Sequence, residues 1–249
     1  MSVEFTACTY QHRRGTAVLD RLDLTFPPGK TVLLGPNGAG KSTLLALAAS
    51  ALAPSSGTVS YGGLNPASRA QRKEYRRRVG WMPQEIEAVP GMTAREQVAY
   101  AGWLKGMPRS HAWEAAVGAL DAVSLANKAD SRSSALSGGQ RRRVGVAQTL
   151  VHGAEMILMD EPTAGLDPAQ RRVFRGIVDR LSEHAHVIVS THQTEDLSDL
   201  YENVVVLEDG QVRFMGSVSE FVARAPKDAA PGRTAEAAYE EILRSGELR

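Results

Sequence analysis

The sequence holds a single cysteine, Cys8, in 249 residues. On that inventory one chain can build neither a disulfide framework nor a cysteine-rich zinc site, which suits a reducing compartment. Long apolar runs are also missing. No stretch approaches the ~18 residues that a membrane-spanning helix needs, and residues 1–14 contain no apolar segment of the signal-peptide kind. The chain is therefore expected to stay in the cytoplasm, with any membrane role coming from docking onto another polypeptide. The third absence is an excess of one charge: 29 Lys+Arg stand against 28 Asp+Glu, a formal net charge of +1. A dedicated nucleic-acid binder ordinarily carries a basic surplus, so no nucleic-acid partner is expected. What is present is a chain 43% hydrophobic and 23% charged. That balance can bury a core, and the length suits one large domain or two small ones.

Periodicity divides the chain into an alternating α/β order. Strands are expected at 3–10, 22–26, 30–34, 57–61 and 79–82, with a helix at 41–52 that stops before Pro54. From 85 to 135 the pattern turns helical, with candidates at 92–104 and 111–125 separated by Gly106 and Pro108. Helix and strand then alternate again: 140–151, 156–159, 169–182 and 186–190. Residues 204–215 read as a hairpin turning on Asp209-Gly210. A Pro/Ala/Gly-rich linker at 225–233 leads to a last helix at 235–243, which places Tyr239, Ile242 and Leu243 on one face. No internal repeat is visible. The expected architecture is an α/β fold with a mainly parallel sheet, an N-terminal antiparallel layer and an inserted helical subdomain at about 85–135. One domain is expected over 1–224, with linker and tail helix at 225–249.

The strand at 30–34 runs into Gly35-Pro36-Asn37-Gly38-Ala39-Gly40-Lys41-Ser42-Thr43, which matches the P-loop pattern in its required strand–loop–helix setting. Glycines let backbone N–H groups turn inward around phosphate oxygens without a Cβ clash. A helix N-terminus adds unpaired donors and a favourable dipole. Lys41 then places a cation on the β- and γ-phosphates, and the Ser42 hydroxyl is placed to ligate Mg²⁺. At typical glycine usage the four defining letters recur by chance in roughly one chain in a hundred of this length. Further on, Met156-Ile157-Leu158-Met159 is an apolar run ending in Asp160-Glu161. A carboxylate at the C-terminal end of a parallel strand sits where ligands bind in such sheets. Asp160 is expected in the magnesium shell, and Glu161 is expected to polarise the water that attacks the γ-phosphate.

Leu136-Ser137-Gly138-Gly139-Gln140 matches the signature sequence of ATP-binding-cassette (ABC) ATPases and opens a helix, giving a second anion-binding end. Gln84 after one strand, Ala164-Gly165-Leu166-Asp167 and His192 after another complete an order that resembles this family over nearly the whole chain. The resemblance implies that Tyr10 stacks on adenine, with Phe5 as a nearby alternative. It further implies that Gln84 joins the magnesium shell and senses a transmembrane partner, that Asp167 contacts an opposing subunit, and that His192 holds the γ-phosphate and orients Glu161. It also implies a pair of ATPase subunits, each ATP lying between Lys41 of one copy and Ser137 of the other, and a separate permease. The wording around 102–106, 141–145 and 165–175 resembles ATPases of drug and antibiotic exporters. Two alternatives stay open: a soluble ATPase working on a cytosolic assembly, and a module using ATP only as a dimer switch. Arg76 to Arg78 and Arg141 to Arg143 read as solvated charges.

Overall fold

The computed structural model describes residues 1–12, 15–194, 197–230 and 232–246. Arg13 and Arg14 of the expected N-terminal turn, and Pro231 and 247–249 of the expected tail, lie outside the described residues. Two sheets form the frame. β1 (Val3–Gln11) pairs antiparallel with β2 (Ala17–Thr25) on one side and with β4 (Ser56–Tyr61) on the other. The second sheet has six strands. β5 (Val79–Met82), β6 (Met156–Asp160), β7 (His186–Thr191), β3 (Lys30–Leu34) and β8 (Asn203–Glu208) run parallel in that spatial order, and β9 (Gln211–Ser217) closes it antiparallel to β8. Parallel strands covered on both faces read as unbroken apolar runs. β6 is buried throughout, down to its terminal acid Asp160.

The helices are α1 (Lys41–Ala48), α2 (Arg72–Arg78), α3 (Ala94–Leu104), α4 (Arg109–Ala122), α5 (Gly138–Leu150), α6 (Pro168–Ser182), α7 (Leu197–Leu200), α8 (Val218–Val222) and α9 (Thr234–Ser245). Leu44, Leu45 and Leu47 of α1 pack between the two sheets beside Val59, Leu158 and Ile188. The helical insert folds back on itself: α3 and α4 bury Val98, Ala112, Ala116 and Leu120 against Val144 and Val146 of α5. Its neck is closed by backbone bonds from Ala94 to Ser131, from Arg95 to Ala129 and from Ser133 to Met92. α3 starts where a reciprocal cap between Thr93 and Glu96 satisfies two first-turn donors. At the other end of the chain, α9 buries Ala238 and Ile242 beside Phe221 of α8 and Val204 and Val206 of β8.

Most departures from the sequence reading have a local cause. α1 ends at Ala48 because Ser50 turns left-handed, φ 56°, while the amides of Ala51 and Leu52 both fold back on the Ala46 carbonyl. α2 has no apolar stripe to announce it, since only Tyr75 is buried along it. The hairpin turn at Asp209 and Gly210 has φ 48° and 73°, both positive, as a two-residue turn between twisted strands requires. A β-carbon on Gly210 would also lie 2.0 Å from the Val18 carbonyl oxygen.

Candidate functional site

β3 delivers the chain into the loop at Gly35, where an added β-carbon would lie 2.3 Å from the Leu207 carbonyl oxygen. Only glycine lets the loop pass β8 so closely. Gly38 and Gly40 take φ 87° and 99°, turning the chain into the start of α1, where Gly40 offers no capping side chain. The first-turn amides of α1 therefore have no side-chain cap, as a helix start that takes an external anion requires. Lys41 is nearly buried, and its Nζ donates to the carbonyls of Gly35 at 2.6 Å and Pro36 at 3.1 Å. The ammonium is held across the loop's own mouth. Burial pushes its pKa below the ordinary lysine value, and the charges of Glu161 and Asp160 oppose that shift.

A cavity of about 520 Å³ opens over this loop. Pro36, Asn37, Gly38, Gly40, Lys41, Ser42 and Thr43 form one wall, and Gln84, Glu161, Ala164 and His192 the other. Gly35 and Ala39 support the loop from behind, Ala39 being buried. Glu161 follows β6, and its Oε1 lies 3.0 Å from His192 Nδ1 and 3.8 Å from Lys41 Nζ. Residues expected at three separate places in the sequence thus converge on one carboxylate oxygen. Asp160 sits beneath, 2% exposed, with its Oδ1 accepting a 2.6 Å bond from Ser190 Oγ. The oxygen donors present suit a hard divalent cation: the Ser42 hydroxyl and Gln84 amide at the cavity wall, with the Asp160 carboxylate nearby. No cluster of three or more His, Cys, Asp or Glu that could hold a metal occurs among the described residues.

The remaining expected residues lie away from this cavity. Ser137 caps α5 by accepting from the Gln140 amide, and the Gln140 side chain accepts from the Ser137 amide in return. Gly139 faces Gln170 so closely that a β-carbon would lie 2.4 Å from its Oε1. Asp167 caps α6 by accepting from the Gln170 amide at 2.8 Å. Ser137, Gly138 and Asp167 are exposed. Tyr10 does not line the cavity. It packs partly buried against the inter-sheet core and meets His12 edge-on, with centroids 5.2 Å apart. His12 and Val18, which the sequence reading passed over, stand at the cavity wall instead. Phe5 is 3% exposed and packs on Phe26, so it is a core residue.

Ser190 and Arg142 were also missed. Ser190 Oγ accepts from the Glu161 amide at 2.9 Å while donating to Asp160, so one hydroxyl ties both acids to β7. Finding it needed the strand order, which places Ser190 opposite Asp160. The three arginines of 141–143 are not solvated charges. Their guanidinium groups donate to the carbonyls of Leu136, of Glu161, and of Val123 and Ser124 respectively. Arg76 likewise donates to Ser50.

A second concavity, of about 330 Å³, lies between the insert and the core, lined by Trp81, Ile86, Val89, Tyr100, Leu104 and His152 among others. Tyr100 and Leu104 are 39% and 63% exposed. Ile86, partly buried, packs against the insert core beside Gly145 while lining this groove. Gln97, 2% exposed, staples this loop by accepting from the Val89 amide and donating to the Glu87 carbonyl. No helix among the described residues is long and apolar enough to cross a membrane.

Comparison with known proteins places the geometry in context. The profile of the family described as ABC transporter matches residues 19–164. An uncharacterized ABC transporter ATP-binding protein, YxlF of Bacillus subtilis, is 35% identical over 223 residues, covering 88% of this chain and 72% of that protein. The linearmycin resistance ATP-binding protein LnrL of the same species is 31% identical over 196 residues, 77% of this chain and 61% of that protein. A phosphate import ATP-binding protein, PstB 2 of Natronomonas pharaonis, is 37% identical over 231 residues, 86% of this chain and 80% of that one. Among solved structures, the dimeric post-hydrolysis state of the ATP-binding cassette MJ0796 bound to ADP and Pi superposes with a TM-score of 0.76. That match is at 25% identity and covers 87% of this chain and 98% of that one. With the loop, the paired acids and the capped signature helix arranged as described, the chain belongs to the ABC transporter family as one of its ATPase domains.

Proposed function

We propose that this ATPase domain hydrolyses MgATP at a site completed by a second ATPase subunit, and that the cycle drives substrate export through a separately encoded transmembrane permease. The observation that carries the catalytic part is the convergence of Lys41 and His192 on Glu161 Oε1 at the mouth of the phosphate loop. In this reading the amides of residues 35–43 cradle the phosphates, and Lys41 supplies a fixed cation to their β- and γ-oxygens. Magnesium, when bound, neutralises charge on those oxygens, and Ser42, Gln84 and Asp160 would hold it. Glu161 takes the proton of the attacking water, His192 fixes the rotamer of that carboxylate, and Ser190 anchors its backbone.

The signature residues Ser137 to Gln140 lie outside this cavity, with Ser137 and Gly138 exposed at the start of a helix, so their anion-binding end is available to the nucleotide of a second copy. Asp167 stands near them through the Gly139–Gln170 contact and is placed to meet the same partner. His12, at the cavity wall with Tyr10 packed edge-on against it, would bound the adenine end. The exposed groove beside Tyr100 and Leu104 is the surface that would take the permease, on the cytoplasmic face of the membrane, with Gln84 next to it in sequence and in the nucleotide cavity in space. Export is favoured by the resemblance of residues 102–106, 141–145 and 165–175 to exporter ATPases, while the relatives include both resistance and import proteins. Replacing Glu161 with Gln is expected to leave MgATP affinity within a few-fold while cutting turnover by at least about a hundredfold, the scale of a lost general base. Turnover near the wild-type rate would remove Glu161 from the mechanism.

A further inference from the structure

Glu161 occupies a conformation that side chains avoid. Its φ is 45°, in the left-handed region where a β-carbon crowds the backbone. Such a residue stays put only when its surroundings over-determine it. On the amide side the brace is Ser190 Oγ, at 2.9 Å. On the carbonyl side two donors meet: the Ala164 amide at 3.2 Å, which is local to the same turn, and Arg142 Nη1 at 2.9 Å, which is not.

Arg142 belongs to α5, the helix that Ser137 opens. Its two neighbours in the arginine run secure α5 elsewhere. Arg141 donates to the Leu136 carbonyl just before the helix, and Arg143 to the carbonyls of Val123 and Ser124 in the insert. Of the three, Arg142 alone reaches the turn after β6. Its guanidinium is half-buried beside Gly139, Leu166 and Phe174. A guanidinium in such a place keeps its charge and makes a stronger bond than a neutral donor would.

We propose that Arg142 is a positioning residue for hydrolysis: it holds the Glu161 main chain in the one conformation that aims the carboxylate at Lys41 and His192, and so ties that aim to the placement of the signature helix. The proposal rests on the reading of Glu161 as the base. A mere structural brace would raise or lower stability, or disturb nucleotide binding, without acting through Glu161. Arg142 does not itself line the nucleotide cavity and meets its wall through the Glu161 carbonyl, so its loss should reach turnover by way of Glu161.

The test is a double-mutant cycle on single-turnover MgATP hydrolysis by the full chain, with KM measured alongside. Arg142→Ala is expected to lower kcat roughly tenfold, the scale of a lost charged hydrogen bond, with KM for MgATP within about twofold. In the Glu161→Gln background the same substitution is expected to change the residual rate by less than about twofold, because residues acting as a unit are not additive. Arg142→Lys, which keeps the charge and one donor, should restore part of kcat. It also serves as the reporting variant if Arg142→Ala fails to fold, with a few-fold loss of kcat and the same dependence on background. Equal losses in both backgrounds, a rise in KM without a fall in kcat, or wild-type kcat in Arg142→Ala would each overturn the proposal. Near-wild-type turnover by Glu161→Gln alone would bring down the reading of Glu161 together with the proposal. A failed cycle beside an inactive Glu161→Gln brings down the proposal only.

Discussion

Ser190→Ala removes one oxygen and with it two bonds at the most constrained point of the site. The hydroxyl is fully buried, donates to Asp160 Oδ1 at 2.6 Å and accepts from the Glu161 amide at 2.9 Å. Alanine leaves a carboxylate lone pair and a backbone donor without partners in a buried setting, where each orphan costs about 1–3 kcal/mol. The expected destabilisation is therefore about 2–6 kcal/mol, which at ~2 °C per kcal/mol for a chain of this size is a fall in Tm of about 4–12 °C. Differential scanning calorimetry without nucleotide measures it. Turnover should fall as well, since the left-handed backbone of Glu161 loses its amide-side brace. A Tm within about 2 °C of the wild type, with unchanged turnover, would refute the reasoning: Ser190 would then not be what holds the two acids in place.

Two further outcomes are expected. Burial, with Lys105 acting in the same direction, pushes His152 down to about 4 from 6.5. The unfolded chain then takes up the proton first as pH falls, so stability present above pH 6.5 is lost on the way down through pH 4, by at most about 3 kcal/mol. Urea unfolding at about pH 7 and about pH 4.5 should show that loss in the wild type and a flatter profile in His152→Leu; parallel profiles would reject the assignment. In the groove, Leu104→Asp combined with Tyr100→Asp should leave the isolated ATPase rate within about twofold, because both side chains are already exposed, while co-purification with the proposed permease is lost. Retained co-purification would place the docking surface elsewhere.

What could be read in the sequence was what lies contiguous in it. The phosphate loop compresses its chemistry into residues 35–43, and glycines there answer to local backbone geometry, so Gly38 and Gly40 announce themselves. The pair Asp160-Glu161 was readable because an apolar strand leads straight into it. Ser190 was not, because its meaning comes from strand order: β7 lies beside β6 although α6 separates them along the chain. Arg142 was misread for the same reason. A run of arginines on a helix looks solvated until the carbonyls it faces are known. α2 stayed hidden because a single buried side chain, Tyr75, gives no periodicity to detect.

The central claim is that ATP is bound between two copies, by the Lys41 loop of one and the Ser137 end of the other. Sedimentation velocity of the Glu161→Gln protein with MgATP tests it most directly, because slow hydrolysis preserves whatever assembly ATP creates. The account predicts dimers that form only with MgATP and hold one nucleotide per chain. Adding Ser137→Arg, which puts bulk and a cation at the exposed cap of α5, should return the protein to monomers that still bind nucleotide through the untouched Lys41 loop. Dimer fractions that are equal with and without Ser137→Arg, or ATP bound in full by monomers of Glu161→Gln, would contradict it.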